Sequence, residues 1–81
     1  MEFVRGLVVR SLAGHDKGGF FTILEVSGKF ALICDGKCRS LEKPKKKKMI
    51  HLSATNTVLP DSSMKTNREI RKALQPFGTA G

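Results

Sequence analysis

Short apolar segments bounded by glycine or polar residues constrain the fold of this 81-residue chain more than any other feature of its sequence. The segments contain many β-branched and aromatic residues, which is typical of strands. They predict five short strands, at about residues 3–10, 20–26, 29–34, 37–41 and 49–52. Strands this closely spaced predict a mainly β fold, a small and strongly bent antiparallel barrel formed by residues 1–53.

Two positions after the third strand shape the expected path of the chain. Asp35-Gly36 predicts a hairpin to the fourth strand, because a type I′ turn needs positive φ values. Pro44 is expected to end strand pairing, so that Lys45 to Lys48 form a loop before the last strand.

The C-terminal third predicts a helix rather than further strands. Residues 54–64 read as a polar connector, residues 65–77 as an amphipathic α-helix and residues 78–81 as a tail. Thr66 and Glu69 have the spacing of a capping box at the start of the helix. The expected apolar stripe, which docks on the barrel, is formed by Ile70, Ala73, Leu74 and Phe77. Pro76 and Gly78 are expected to end the helix.

Positive charge is concentrated in one segment. The chain has fifteen lysines and arginines against seven acidic residues, a net charge of +8. Residues 37–48 contain seven of these basic residues and one acid, Glu42. A dense positive segment held against a small body favours contact with a polyanion, most commonly nucleic acid. The alternative interpretation is a solvated lysine loop without a partner.

The cysteines and histidines do not predict a metal site or a cofactor. Cys34 and Cys38 span the expected hairpin, and His15 and His51 lie on other elements, whereas structural zinc usually takes paired ligands at short spacing. A disulfide across the hairpin is not expected, because disulfides rarely persist in a reducing cytosol. We therefore expect two free thiols in or near the core. No Ser-His-Asp order, phosphate loop or H-E-x-x-H motif is present, so we do not expect an enzyme.

The sequence also predicts where the protein resides. Arginines interrupt the apolar residues of the N-terminal segment, so no secretory signal is expected. No apolar run approaches the length of a membrane span. We therefore expect one soluble cytoplasmic domain, monomeric and without membrane contact.

Four segments together resemble a known family of RNA-binding domains. They are GLVVRS at residues 6–11, AGHDKG at 13–18, DGK at 35–37, and the later Lys-Pro-Lys run that ends at His51-Leu52. A glycine-bounded polar loop with Lys-Gly at its end, between two apolar strands, resembles the KOW motif of ribosomal proteins and transcription elongation factors. The full pattern, over about residues 3–53, resembles small bacterial KOW-domain proteins related to ribosomal proteins fourteen-e, six-e and twenty-seven-e. The resemblance implies an SH3-like barrel and RNA binding, usually ribosomal.

The candidate contacts with RNA lie in two regions. In the first loop, Gly18 would let the chain take a backbone conformation closed to residues with a Cβ, such as a positive φ, and would let a phosphate or base approach the backbone. Lys17 offers a mobile charge, and His15 can donate to phosphate or stack on a base. In the second region Arg39 is the expected specific contact, because guanidinium can pair bidentately with phosphate. The remaining candidates are Lys37, Lys43, Lys45, Lys46, Lys47, Lys48 and His51. The alternative is that the glycines only make a turn and the polar side chains only face water.

Three functions are compatible with these features. The first is a ribosome-associated protein that recognises the phosphates and shape of folded rRNA. The second is a module that docks on ribosomal proteins or RNA polymerase, although a protein dock does not require a charge of +8. The third is a protein that binds single-stranded nucleic acid, which needs several exposed aromatic rings on which bases stack. The chain has no Trp, no Tyr and five Phe, which disfavours that third function.

Overall fold

The computed structural model describes residues 2–78 and consists of one five-stranded sheet with a C-terminal helix. Single-turn 3-10 helices lie at Met49–His51 and Asp61–Ser63. The mainly β class with a terminal helix is therefore confirmed. The main elements are β1 (Leu7–Ser11), β2 (Phe20–Ser27), β3 (Phe30–Cys34), β4 (Lys45–Lys48), β5 (Leu52–Val58) and α1 (Asn67–Gly78).

Every neighbouring pair of strands is antiparallel, in the order β4-β3-β2-β1-β5. One hydrogen bond shows that the sheet is strongly curled. The Lys47 ammonium on β4 donates to the carbonyl oxygen of Ala13, just after β1 (Nζ–O 2.5 Å). In a flat sheet these strands would lie about 14 Å apart, three strand spacings, which is beyond the reach of a lysine side chain. This curvature is what the predicted barrel requires.

Both faces of the sheet are covered, which explains why β2 has apolar residues at consecutive positions. The inner face of the curled sheet forms one apolar cluster, which consists of Leu7, Val9, Phe21, Ile23, Ala31, Ile33 and Leu52. The opposite face packs against α1 and the turn that precedes it, through Val8, Cys34, Met64, Ile70 and Leu74. Burial of apolar side chains on two faces fixes the register of the sheet, since a slip of one residue would exchange the faces.

The helix begins where the sequence predicts, but it continues past the predicted end at Pro76. The Glu69 amide donates to Thr66 Oγ1 (N–O 3.1 Å), which is the expected cap. Pro76 lies inside α1, so the expectation that it ends the helix is wrong. The final turn carries Phe77, whose ring lies 5.6 Å from that of Phe20, and this contact holds the chain beyond the proline.

The prediction of a fourth strand at residues 37–41 is wrong, and Lys45 to Lys48, which were expected to form a loop, form a strand. The Asp35 carboxylate accepts the amides of Lys37 and Arg39, and the Arg39 carbonyl accepts those of Asp35 and Gly36 (2.8–3.0 Å). These bonds close the chain into a tight turn within the β3–β4 loop (residues 35–44). Lys45 to Lys48 form β4 instead, paired with β3 in the register Ala31↔Lys47.

The last strand lies later than the sequence predicts. Residues 49–51 form a 3-10 turn, and β5 extends to Val58 along β1, pairing Ala54 with Val9. The prediction of a polar connector is therefore wrong for residues 54–58. Gly78 belongs to α1, and residues 79–81 of the expected tail lie outside the described residues. In the described part of the chain, no helix is long and apolar enough to cross a membrane.

Candidate nucleic-acid interface

The β1–β2 loop (residues 12–19) is closed by its own backbone hydrogen bonds. The Gly18 amide donates to the Ser11 carbonyl, and the Ser11 amide donates to the Gly19 carbonyl (2.8 and 2.9 Å). Gly18 has φ +87°, as the sequence predicts, and a Cβ at this position would meet nothing within 4 Å. Glycine is therefore required by the backbone conformation and not by crowding. This turn exposes His15 and Lys17 at its tip.

Arg39 is paired within the protein. Its Nη2 lies 3.1 Å from Asp16 Oδ2, and the Asp16 side chain retains only 12% of its exposure. Arg39 Nε is buried without a hydrogen-bond partner. The pair ties the β3–β4 loop to the β1–β2 loop. Arg39 was expected to be the specific contact, but the structure gives it a carboxylate partner and a supporting position.

Lys47 also supports the β1–β2 loop. It is 8% exposed, and its ammonium is bonded to the Ala13 carbonyl oxygen. Because side chains alternate along a strand, Lys45 and Lys47 share the inward face of β4, and Lys46 and Lys48 lie on the outward face. The expected single positive surface along 45–48 is therefore divided between two faces.

The other candidates occupy several positions around the sheet. The His51 carbonyl accepts the Leu12 amide (2.8 Å), which brings exposed His51 to the base of the β1–β2 loop. Lys37 and Lys43 are exposed in the β3–β4 loop. Lys46 Nζ lies 4.5 Å from the centroid of the Phe30 ring on the outer face. The structure therefore gathers His15, Lys17, Gly18, Arg39, Lys47 and His51 around one loop, and leaves the other candidates elsewhere.

Several exposed basic residues belong to the positive surface although they were not among the candidate contacts predicted from the sequence. Arg10 is the exposed residue of β1, and its only signal was its position between Val9 and Ser11, which are buried. Lys29 lies beside Lys48 around a shallow pocket at the β2–β3 turn. The exposed face of α1 adds Arg68, Arg71 and Lys72, whose helical spacing in the sequence already places them opposite the apolar stripe, facing water or RNA. These residues extend the positive surface beyond the two regions that the sequence indicated.

Most of the positive charge has no carboxylate partner. Among residues 2–78 there are two ion pairs, Arg39–Asp16 and Arg5–Asp61 (3.1 and 3.2 Å). The other thirteen of the fifteen lysines and arginines have no carboxylate within 4.0 Å in this part of the chain. The Glu42 carboxylate is occupied by the Asn67 amide (2.9 Å), a hydrogen bond that lowers the pKa of Glu42. The folded protein therefore presents a largely unneutralised positive field.

Lysines on β4 also have a structural explanation. β4 is an edge strand, and natural sheets place lysine on such edges to prevent pairing with another chain. Lys46 and Lys48 meet that description without any ligand. A role for these two side chains in binding therefore needs its own test.

The two cysteines differ in their surroundings. Cys34 is fully buried under α1 and Cys38 is exposed, so the expectation of two thiols in or near the core holds for Cys34 alone. Both are free cysteines. Burial, together with the nearby Asp35 carboxylate, raises the pKa of Cys34 to about 11. Among the described residues no group of three His, Cys, Asp or Glu side chains could hold a metal ion.

No protein-family model matches the chain, and no curated protein matches it. The assignment of this interface therefore depends on charge and geometry, together with the resemblance of four sequence segments to the KOW pattern.

Proposed function

We propose that this protein binds folded RNA, specifically ribosomal RNA, in the cytoplasm, as a monomer without cofactor or catalytic activity. The observation that carries the proposal is the charge. A net charge of +8 on 81 residues, with thirteen basic side chains free of carboxylates in the described part, favours a polyanionic partner. The chain releases counterions from RNA when these side chains approach phosphates, and this release drives association.

The β1–β2 loop is the centre of the proposed contact. Lys17 offers a mobile ammonium to phosphate, and His15 donates to phosphate or stacks on a base. Arg39 and Lys47 hold the loop from below through Asp16 and Ala13. A loop that is fixed before binding loses less conformational entropy on binding, so the ion pair and the buried lysine raise affinity without touching RNA.

The state of the aromatic rings supports recognition of phosphates and RNA shape. Of the five phenylalanines, Phe21 is buried and the other four are half-buried. A platform on which successive bases of a single strand stack needs several exposed rings. Folded RNA, which presents phosphates and 2′-hydroxyl groups at fixed positions, suits this surface better.

A docking module for ribosomal proteins or RNA polymerase is the second candidate function. One observation favours it: the Ile50 side chain is 79% exposed and lies with Lys29 and Lys48 around a shallow pocket. An exposed apolar residue with a basic rim suits an acidic protein surface. Binding to naked RNA separates the two functions, because a protein dock requires the protein component.

Two experiments test RNA binding and its assignment to this loop. The purified chain should bind protein-free rRNA fragments and should sediment with ribosomes in low salt but not in high salt. Lys17→Ala should weaken RNA binding and reduce the magnitude of the salt slope by about one. Lys65→Ala, which removes another exposed lysine before α1, is the matched control and should have a smaller effect. Binding to ribosomes without binding to naked rRNA would favour the docking module, and equal effects of the two variants would remove the loop from the interface.

A further inference from the structure

A groove of about 510 Å³ lies between α1 and the turn at residues 35–38, outside the set of side chains that hold the β1–β2 loop. Its size falls within the range of about 300–1,000 Å³ that is typical of small-ligand sites. Gly19, the last residue of the β1–β2 loop, forms part of its wall, so the groove is continuous with the proposed interface. The side chains that give it chemical character are Phe20, Lys37, Arg71, Leu74 and Gln75.

The groove combines cations with an apolar floor. Lys37 contributes a positive charge from the turn and Arg71 another from the helix, and both are exposed. Half-buried Phe20 and buried Leu74 add apolar surface to the lining. Asp35 also lines the groove, but one of its carboxylate oxygens accepts the amides of Lys37 and Arg39 (both 2.9 Å).

The two walls are fastened to each other. Asn67, the first residue of α1, accepts the Leu41 amide through its side-chain oxygen (2.7 Å) and donates to Glu42 (2.9 Å). Gly36 packs so closely on the Asn67 carbonyl that a Cβ at position 36 would overlap it. The width of the groove is therefore set in the free protein, which reduces the entropic cost of filling it.

We propose that this groove binds one unstacked nucleotide of the RNA, such as a bulged residue. Its phosphate lies between Lys37 and Arg71, its base packs on Phe20 and Leu74, and the Gln75 amide meets the base edge. Splayed-out bases of folded RNA are the groups that proteins recognise by apolar or aromatic packing and edge hydrogen bonds. This inference rests on the proposed RNA-binding function and adds to it a preference for RNA with an unpaired base.

Two RNA hairpins test the groove, one with a single bulged nucleotide and one fully paired but otherwise identical. The full chain should bind the bulged hairpin more tightly, and only that RNA should shift the amide NMR signals of Lys37 and Gln75. Arg71→Gln should weaken binding of the bulged hairpin at least about fivefold and reduce the preference between the hairpins. Arg68→Gln is the matched control: it removes an exposed arginine of the same helix that does not line the groove, and it should leave the preference unchanged.

The outcomes distinguish this inference from the proposed function. If both hairpins bind equally to the wild-type chain, or if Arg71→Gln and Arg68→Gln behave alike, the nucleotide site is overturned while RNA binding stands. If neither hairpin nor an rRNA fragment binds, both proposals fail. An acidic peptide that binds the wild-type groove and loses affinity with Arg71→Gln, without competing with RNA, would assign the groove to a protein partner. Lys37→Gln, which leaves α1 unaltered, should reproduce the effect of Arg71→Gln and so excludes a defect in the helix.

Discussion

Lys17 and Gly18 are neighbours at the tip of one loop, yet they contribute in different ways. Lys17 is exposed and has no carboxylate partner among the described residues, so its charge is available to a ligand. Gly18 contributes only its backbone conformation, with φ +87° and open space around the position of a Cβ. Substitution at Gly18 therefore alters the placement of Lys17 without removing any charge.

Gly18→Ala should cost about 1–2 kcal/mol of unfolding free energy, because a residue with a Cβ is strained at this φ. Gly28→Ala is a matched control, since Gly28 also has a positive φ (59°) and nothing within 4 Å of the added Cβ. Both variants should lose similar stability in chemical denaturation, but only Gly18→Ala should weaken RNA binding. If Gly18→Ala folds and binds RNA as wild type does, the proposal that the β1–β2 loop acts as a KOW-like RNA contact is wrong.

Ionisation of the Cys34 thiol should make the unfolding free energy depend on pH. Its pKa is raised to about 11 in the folded protein from an ordinary value of 9.0, so the folded state binds the thiol proton more tightly than the unfolded state. This contribution to stability is complete below pH 9 and is lost as the pH rises toward 11. The unfolding free energy should therefore fall by about 1.4 kcal/mol per pH unit across this window from Cys34 alone.

Cys34→Ala isolates that effect from the titration of lysines. The difference in unfolding free energy between wild type and Cys34→Ala should change with pH above 9 and be constant below it. A difference that is constant from pH 7 to 11 would show that the buried thiol ionises normally. In a native sample at pH 8, a thiol reagent should modify exposed Cys38 and spare Cys34.

At the scale of elements, the sequence predicts the strands and the helix whose positions follow from the spacing of apolar residues. The apolar positions locate β1, β2, β3 and α1, because side chains buried on defined faces determine them, although β1 begins at Leu7 and not at residue 3 as predicted. The sequence does not predict β4, since four lysines have no apolar face and the strand exists through backbone pairing with β3. It also places β5 too early, because the strand Leu52–Val58 is rich in polar residues and pairs with β1 from a distant part of the chain.

The candidate site was predictable to the same extent. The positive-φ glycine and the exposed tip of the β1–β2 loop follow from local sequence, and both were found there. The partners of Arg39 and Lys47 are distant in sequence, so no local pattern could indicate that these cations are held within the protein. The sequence places the basic side of α1 toward water or RNA, but it could not indicate that Arg71 and Lys37 line one groove, because the two residues are distant in sequence.

Alternation along β4 gives different expectations for adjacent lysines. Lys47→Ala should lower the unfolding free energy by about 1–3 kcal/mol, because it leaves the Ala13 carbonyl without its partner. Lys48→Ala, at an exposed position on the outward face, should change stability by no more than about 0.5 kcal/mol. Thermal or chemical denaturation of the two variants measures this difference, and equal losses would contradict the inward position of Lys47.

The same two variants separate binding from edge protection. Lys48→Ala should weaken RNA binding if the outward face of β4 touches RNA. If Lys48→Ala instead leaves RNA affinity unchanged and promotes aggregation, the lysines of β4 serve to protect a sheet edge.

At the scale of the whole molecule, charge and fold are organised separately. The two apolar clusters on opposite faces of the sheet stabilise the fold, and only two ion pairs are present among the described residues. Exposed charges of this kind contribute little to folding. The basic residues without a carboxylate partner, apart from the buried Lys47, are therefore available for the proposed polyanionic partner, which could be bound without a change in the core.

The salt dependence of RNA affinity tests this account most directly. Equilibrium binding of the full chain to a structured rRNA fragment should be measured over a series of monovalent salt concentrations. If about five phosphates are neutralised, the plot of log K against log salt should have a slope of roughly −3.5 to −4.5. A slope near zero, or an absence of binding at low salt, would contradict the proposal that this positive surface recognises RNA.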